Sequence, residues 1–288
     1  MNEPGETSAP RTAFVFAGGA ALGAMHAGML HALYERGITA DLLVGTSAGA
    51  MNAAFVASRP QTVATARELG AVWCGLRRRN VFPIRPTTLL AGLTGLRDHL
   101  VPDHGLRRVA ARHLRVAHLE EASVPLHLIA YDPLSGQEVR LSEGPTVEAV
   151  LAAAAIPGLL PPVRFRGRLL SDGGVCNNTP ISHAVQLGAE RIYVLPTAGP
   201  GAQGLPSAPG GATGAAVNAL TQLFCSRLKA DLARYATAAE MVILPAANPR
   251  RVALTNFAHA AELIDQARTA ARTALAARDA HHELALAS

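Results

Sequence analysis

Short apolar runs alternate with longer stretches of helical character along the chain. Residues 12–16, TAFVF, predict a buried strand. A glycine-rich turn follows, then a helical pattern through Gly23–Glu35 that stops at Gly37. Residues 41–44 predict a second strand, and Ala48–Ala57 the helix after it. Strand, helix, strand, helix at this spacing implies βαβ units and a mostly parallel sheet. Residues 124–130, VPLHLIA, return to strand character, and SGQEVRL reads as a turn with a paired strand. Arg191–Pro196 and residues 241–244 add two more strands. Residues 198–214, rich in Gly, Ala and Pro, predict a surface loop. Val217, Leu220, Phe224, Leu228 and Leu232 then recur at helical spacing, and residues 257–280 predict a closing amphipathic helix. The elements stay mixed and no internal repeat appears, which favours one domain over residues 12–288 behind a loose tail of residues 1–11.

One segment breaks the alternation. Residues 74–116 hold nine arginines between Arg77 and Arg115, against only Asp98 and Asp103, with prolines and glycines throughout. This predicts a cap or insertion over the sheet. Its apolar residues Val81, Phe82, Leu89, Leu90, Leu93 and Leu96 could line a groove or be plain core.

Composition narrows the chemistry. Apolar residues make up 49% of the 288 and charged ones 16%, a folded composition. The net charge of +5 is carried by arginine, since Lys229 is the only lysine. That excludes a Walker-type Gly-Lys-Ser/Thr loop and argues against a Schiff-base enzyme. Cys74, Cys176 and Cys225 form no CxxC pair, which fits a reducing compartment better than a disulfide framework or a zinc site. The start, MNEPGETSAPRT, lacks a basic end and an apolar stretch, and no run reaches the roughly 18 apolar residues of a membrane span. The expectation is a soluble, cytoplasmic protein. Aromatics are 4% and do not alternate with the arginines, so nucleic-acid binding is not expected.

Gly45-Thr46-Ser47-Ala48-Gly49 lies between a predicted strand and a predicted helix. Gly-x-Ser-x-Gly in that setting is a nucleophile elbow, which lifts a serine hydroxyl above the sheet at a helix N-terminus. The stretch FAGGAALGAMHAGML, residues 16–30, places glycines just after the first strand, where backbone N–H groups can face an anion. Two uses compete: an oxyanion hole from Gly18, Gly19 and Ala20, or a dinucleotide loop. The spacing Gly18, Gly19, Gly23 does not match GxGxxG, and Asp41 lies at the wrong end of the second strand for a ribose contact. A serine nucleophile needs a base. His259, His281 and His282 come late enough for the α/β-hydrolase order. Asp172, in LLSDGGVCNNTPI, taken alone reads as a hairpin turn.

Taken together, AGGAALGAMHAGML, VGTSAGAMNA and the pair AAAAIPGLLPPV and DGGVCNNTPI resemble the patatin-like phospholipase family, with AYDPLSGQEV matching its middle strand. The resemblance covers roughly residues 12–200. It implies a three-layer α/β/α sandwich with a mainly parallel central sheet. It also implies a Ser–Asp dyad without a catalytic histidine: Ser47 as nucleophile, Asp172 as base, Gly18, Gly19 and Ala20 as oxyanion hole, and Gly45 and Gly49 flanking the elbow. The substrate would be a lipid ester, cleaved by a phospholipase A, lysophospholipase or lipase without metal or cofactor. A short-chain carboxylesterase and a catalytically silent lipid-binding protein are the alternatives. The chain departs from the family at Ala20, where a third glycine is usual, and at Leu22, where a basic residue is usual. An alanine N–H still donates, so Ala20 matters only if its backbone needs a positive φ. A carboxylate of ordinary pKa, about 3.9, is a weak base, so Asp172 is expected to be desolvated and close to Ser47. The arginine-rich segment has two readings, contact with an anionic membrane surface or a solvated lid face.

Overall fold

The computed structural model describes residues 10–198, 211–246 and 252–286. Eight strands form one sheet: β1 (Thr12–Phe16), β2 (Leu42–Thr46), β3 (Leu126–Asp132), β4 (Gln137–Leu141), β5 (Val163–Phe165), β6 (Arg168–Asp172), β7 (Arg191–Leu195) and β8 (Glu240–Ile243). The order is β5-β6-β3-β2-β1-β7-β8, with β4 also paired to β3. The strands β3, β2, β1, β7 and β8 are parallel, whereas β4 and β6 run antiparallel to β3, and β5 to β6. The sheet is therefore mainly parallel, with an antiparallel margin.

The helices are α1 (Met25–Tyr34), α2 (Ala48–Ala57), α3 (Val63–Gly75), α4 (Arg78–Val81), α5 (Pro86–Leu93), α6 (His104–His113), α7 (Thr146–Ala153), α8 (Gly174–Asn177), α9 (Ile181–Gln186), α10 (Gly211–Arg234) and α11 (Ala260–Leu286). Side chains alternate across a strand, and here both faces are covered. Phe14, Phe16, Leu43, Tyr193 and Leu195 pack with residues of α1, α2, α3, α7 and α11. Ala13, Val15, Leu42, Val44, Ile192 and Val194 pack on the other face with Ile181 and Ala184 of α9 and Leu228 of α10. Burial on both faces explains why these strands read as continuous apolar runs. Helix, sheet and helix make three layers.

The register along β3 positions the site. Ile129 pairs with Thr46 on one side and Arg140 on the other, and the next residue, Ala130, pairs with Asp172 and Val139. Since β4 occupies one edge of β3, β2 and β6 share the opposite edge. They meet there end to end from opposite directions, so the residue after Thr46 and the last residue of β6 are neighbours.

Several elements differ from the sequence reading. The helix α7 and the strand β5 were not expected. In α7, residues 149–153 are all buried, so the segment has no polar stripe to mark it. β6 runs into the short helix α8 rather than into a hairpin turn. Helix α10 already begins at Gly211, within the expected loop, whereas residues 199–210 and 1–9 lie outside the described residues. The arginine-rich segment holds α4, α5 and α6. No described helix is long and apolar enough to cross a membrane.

Candidate active site

Ser47 follows β2 directly and precedes α2, with φ 57° and ψ −124°. An L-residue seldom adopts this conformation, and it costs on the order of 1–3 kcal/mol. The glycines of the elbow are required by close approach. A Cβ on Gly45 would lie 2.5 Å from the Gly49 carbonyl oxygen, and one on Gly49 2.2 Å from that of Phe16 at the end of β1. The turn is pressed onto itself and onto the neighbouring strand.

Ser47 Oγ donates to Asp172 Oδ2 at 2.6 Å. The other carboxylate oxygen accepts the Gly174 N–H at 2.8 Å. The backbones are tied as well: Ser47 N donates to Ala153 O at 3.0 Å and Asp172 N to Ala155 O at 2.9 Å. Both side chains are buried. Burial pushes the Asp172 carboxyl up to about 6, against the opposing pull of the Ser47 hydroxyl and the Gly174 N–H. The histidines stand apart from this pair. His259 Nδ1 lies 3.4 Å from Glu262 Oε2 and His281 Nδ1 lies 2.6 Å from Ala277 O, while the side chain of His282 is outside the described residues.

The glycine-rich loop runs beside the elbow, at the carboxyl ends of parallel strands where α/β sheets commonly bind ligands. Gly18 donates its N–H to Asn178 O at 2.9 Å. Its carbonyl accepts from Asn178 Nδ2 at 3.3 Å and from the Thr197 hydroxyl. The N–H groups of Gly19 and Ala20 have no acceptor among the described residues. Ala20 has φ 48°, so this backbone does sit in the left-handed region. The penalty there, about 1–2 kcal/mol, exceeds the roughly 0.5–1 kcal/mol by which glycine's extra chain entropy disfavours folding. Ala20→Gly is therefore expected to raise Tm by a few degrees, about 1–4 °C, in a thermal melt. An unchanged or lower Tm would contradict it. Leu22 is buried in the apolar core, and the loop is held by Ala21 N to Leu254 O at 2.8 Å and Leu22 N to Gly19 O at 3.0 Å.

Three further residues shape the site. Asn52 is buried in α2, where its Oδ1 accepts the Trp73 indole N–H at 3.0 Å. Because an indole N–H can only donate, the amide NH2 of Asn52 faces the other way, toward Gly23 O and His26 Nδ1, both at 2.9 Å. Burial holds His26 neutral, its pKa pushed down to about 3. One amide thus joins the nucleophile helix, the end of the glycine loop and α3. The signal was an asparagine inside the otherwise apolar AGAMNAAFVA of α2.

An apolar cavity opens over Ser47. Met51 and Phe55 of α2, Leu69, Val72 and Trp73 of α3, Val81 and Phe82, and Leu106 and Val109 of α6 line it, with Phe257. Of the apolar residues singled out in the arginine-rich segment, Val81 and Phe82 belong to this wall. Leu90, Leu93 and Leu96 instead face solvent. Among the described residues, no three His, Cys, Asp or Glu side chains come together in a metal-binding cluster.

A family model described as patatin-like phospholipase matches residues 14–185. An uncharacterized NTE family protein of Mycobacterium tuberculosis is 31% identical over 187 residues, which cover 64% of this chain and 48% of that one. The lysophospholipase NTE1 of Mycosarcoma maydis is 27% identical over 185 residues, 63% of this chain and 9% of that one. The chain thus spans about half the length of the mycobacterial relative and a small part of the fungal one. Among solved structures, VipD from Legionella pneumophila aligns with 93% of this chain and 67% of its own, at 14% identity and a TM-score of 0.48.

Proposed function

Because the chain belongs to the patatin-like phospholipase family, we propose that it is a serine lipid acyl hydrolase that cleaves carboxylic esters of phospholipids or acylglycerols. The observation that carries this reading is the 2.6 Å contact between Ser47 Oγ and Asp172 Oδ2 beneath an apolar cavity.

Asp172 accepts the Ser47 hydroxyl proton as Oγ attacks the ester carbonyl. The N–H groups of Gly19 and Ala20 stabilise the resulting oxyanion, while Gly18, held by Asn178 and Thr197, keeps the loop beside Ser47. Collapse of the tetrahedral intermediate breaks the ester C–O bond, and the departing alkoxide takes the proton from Asp172. The acyl group remains on Ser47. Water then gives a proton to Asp172 and its oxygen to the acyl carbon, and the fatty acid leaves as Ser47 Oγ regains its proton. The acyl chain lies against Met51, Phe55, Trp73 and Phe82. In this reading residues 74–116 cap a single hydrolase domain. The protein is placed in the cytoplasm on its cysteine usage.

A fluorophosphonate probe tests the reading. Intact-mass analysis is expected to show one adduct on the wild-type protein and none on Ser47→Ala. The wild type is expected to release fatty acid from at least one of lysophosphatidylcholine, phosphatidylcholine and monoacylglycerol. A wild-type protein that neither labels nor releases fatty acid would overturn the proposal.

A further inference from the structure

The cap over the cavity carries an apolar patch that the reaction itself does not use. Ile84, Leu90, Leu93 and Leu96 are 51, 64, 70 and 81% exposed. They are four of the eight large apolar side chains exposed among the described residues, and all four fall within residues 84–96, a local concentration along the chain rather than ordinary scatter. Leu90 and Leu93 lie one turn apart on the outward side of α5, whereas Thr88 of the same helix is buried.

Positive charge flanks the patch. Arg85 precedes α5 and Arg97 follows Leu96, and both are exposed without an ion pair among the described residues. Arg78 and Arg79 on α4 are in the same condition. By contrast, Arg107 is paired with Asp103 and Glu148, and Arg115 with Glu68. Asp98, beside Arg97, is the nearest acid in the chain, and it contacts His99. Guanidinium groups around exposed leucines suit a surface of phosphate headgroups over acyl chains. They do not suit a second copy of the same patch, which would set arginine against arginine.

The chain ties both ends of the patch to the cavity wall. Ile84 is two residues from Phe82, which lines the wall. Beyond Leu96, Leu100 N donates to Gly158 O at 3.1 Å and Val101 N to Leu159 O at 2.9 Å. Those acceptors lie between Ile156 and Leu160, which also line the cavity.

We infer that this surface docks the protein on an anionic bilayer. Leu90, Leu93 and Leu96 enter the acyl region, Arg85 and Arg97 engage headgroup phosphates, and the cavity over Ser47 is presented to lipid. The purpose of the docking rests on the hydrolase reading, but its measurement does not.

The test is co-sedimentation of the full chain with phosphatidylcholine vesicles, with and without a minority of phosphatidylserine. Three proteins are compared: wild type, Leu93→Ser/Leu96→Ser and Arg85→Glu/Arg97→Glu. Wild type is expected to bind the anionic vesicles about tenfold or more tightly than the neutral ones, given about 1 kcal/mol per arginine at such a surface. The arginine variant is expected to lose that preference, and the leucine variant to bind both vesicle types weakly. Circular dichroism and hydrolysis of a soluble ester should match wild type in both variants, since neither pair lines the cavity. Docking is overturned if wild type binds neither vesicle, or if the variants bind as wild type does. It is also overturned if the leucine substitutions only convert a dimer to a monomer on size exclusion. A wild type that binds vesicles yet cleaves no ester leaves the docking standing and removes the hydrolase reading.

Discussion

Ser47→Ala and Asp172→Asn are each expected to lower kcat/KM on a medium-chain p-nitrophenyl ester by about 10³–10⁵, while His259→Ala leaves it within about twofold. The expectation follows from what each side chain touches. Ser47 Oγ has a buried carboxylate oxygen at 2.6 Å to receive its proton. That carboxylate is oriented by the Gly174 N–H on its other oxygen, the part a third residue plays in a triad. His259 faces Glu262 and forms no hydrogen bond with either partner. Asparagine keeps the shape of Asp172 and can still meet the Ser47 hydroxyl, but it cannot take its proton. The measurement is steady-state hydrolysis by variants whose circular dichroism matches wild type. If His259→Ala were as inactive as Ser47→Ala, the base would be misassigned.

Acid should silence the enzyme at a pH that its fold predicts. In the proposed mechanism ionised Asp172 is the active form, and burial raises its pKa to about 6. Below that, kcat/KM should fall about tenfold per pH unit, and above it the profile should level. The same shift has the opposite sign for stability. A carboxylate whose folded pKa is raised favours the folded state only when protonated, so its contribution is complete below about 3.9 and lost as pH rises through about 6. At pH 8 the wild type therefore carries a buried charge that Asp172→Asn lacks. The variant is expected to be more stable there by about 1–3 kcal/mol in urea unfolding, with the advantage shrinking as pH falls toward 4. An acid limb near 4, or a variant less stable than wild type at pH 8, would mean that Asp172 is not desolvated as described.

The parts legible in the sequence are those in which local pattern and final environment agree. TAFVF and LLV are apolar because β1 and β2 are covered on both faces, and Ala48–Ala57 was readable because a glycine elbow marks its start. Asp172 was not legible as a partner of Ser47 from its own surroundings. Their meeting depends on adjacent pairing positions, Ile129 and Ala130, on a strand that lies far from both in sequence. Only the resemblance supplied it. Helix α7 was hidden because a helix buried nearly all round shows no period. The engagement of the Gly18 N–H was equally invisible, since its acceptor, Asn178, is 160 positions away. Sequence can mark a loop as rich in donors. Which of them stay unpaired is decided by tertiary contacts.

The amide of Asn52 has a consequence for anyone reshaping the cavity. Trp73 is both a wall of that cavity and the donor to Asn52, and Asn52 in turn grips the carbonyl of Gly23. Widening the wall by removing the indole would leave Asn52 Oδ1 without its donor and free the amide to rotate, loosening the backbone beside Gly19 and Ala20. In the proposed hydrolase, the width of the acyl cavity and the setting of the glycine loop are therefore linked at this position. Room for a bulkier chain is better sought at Leu69 or Val109, whose side chains line the same space and have no polar atom to leave unpaired.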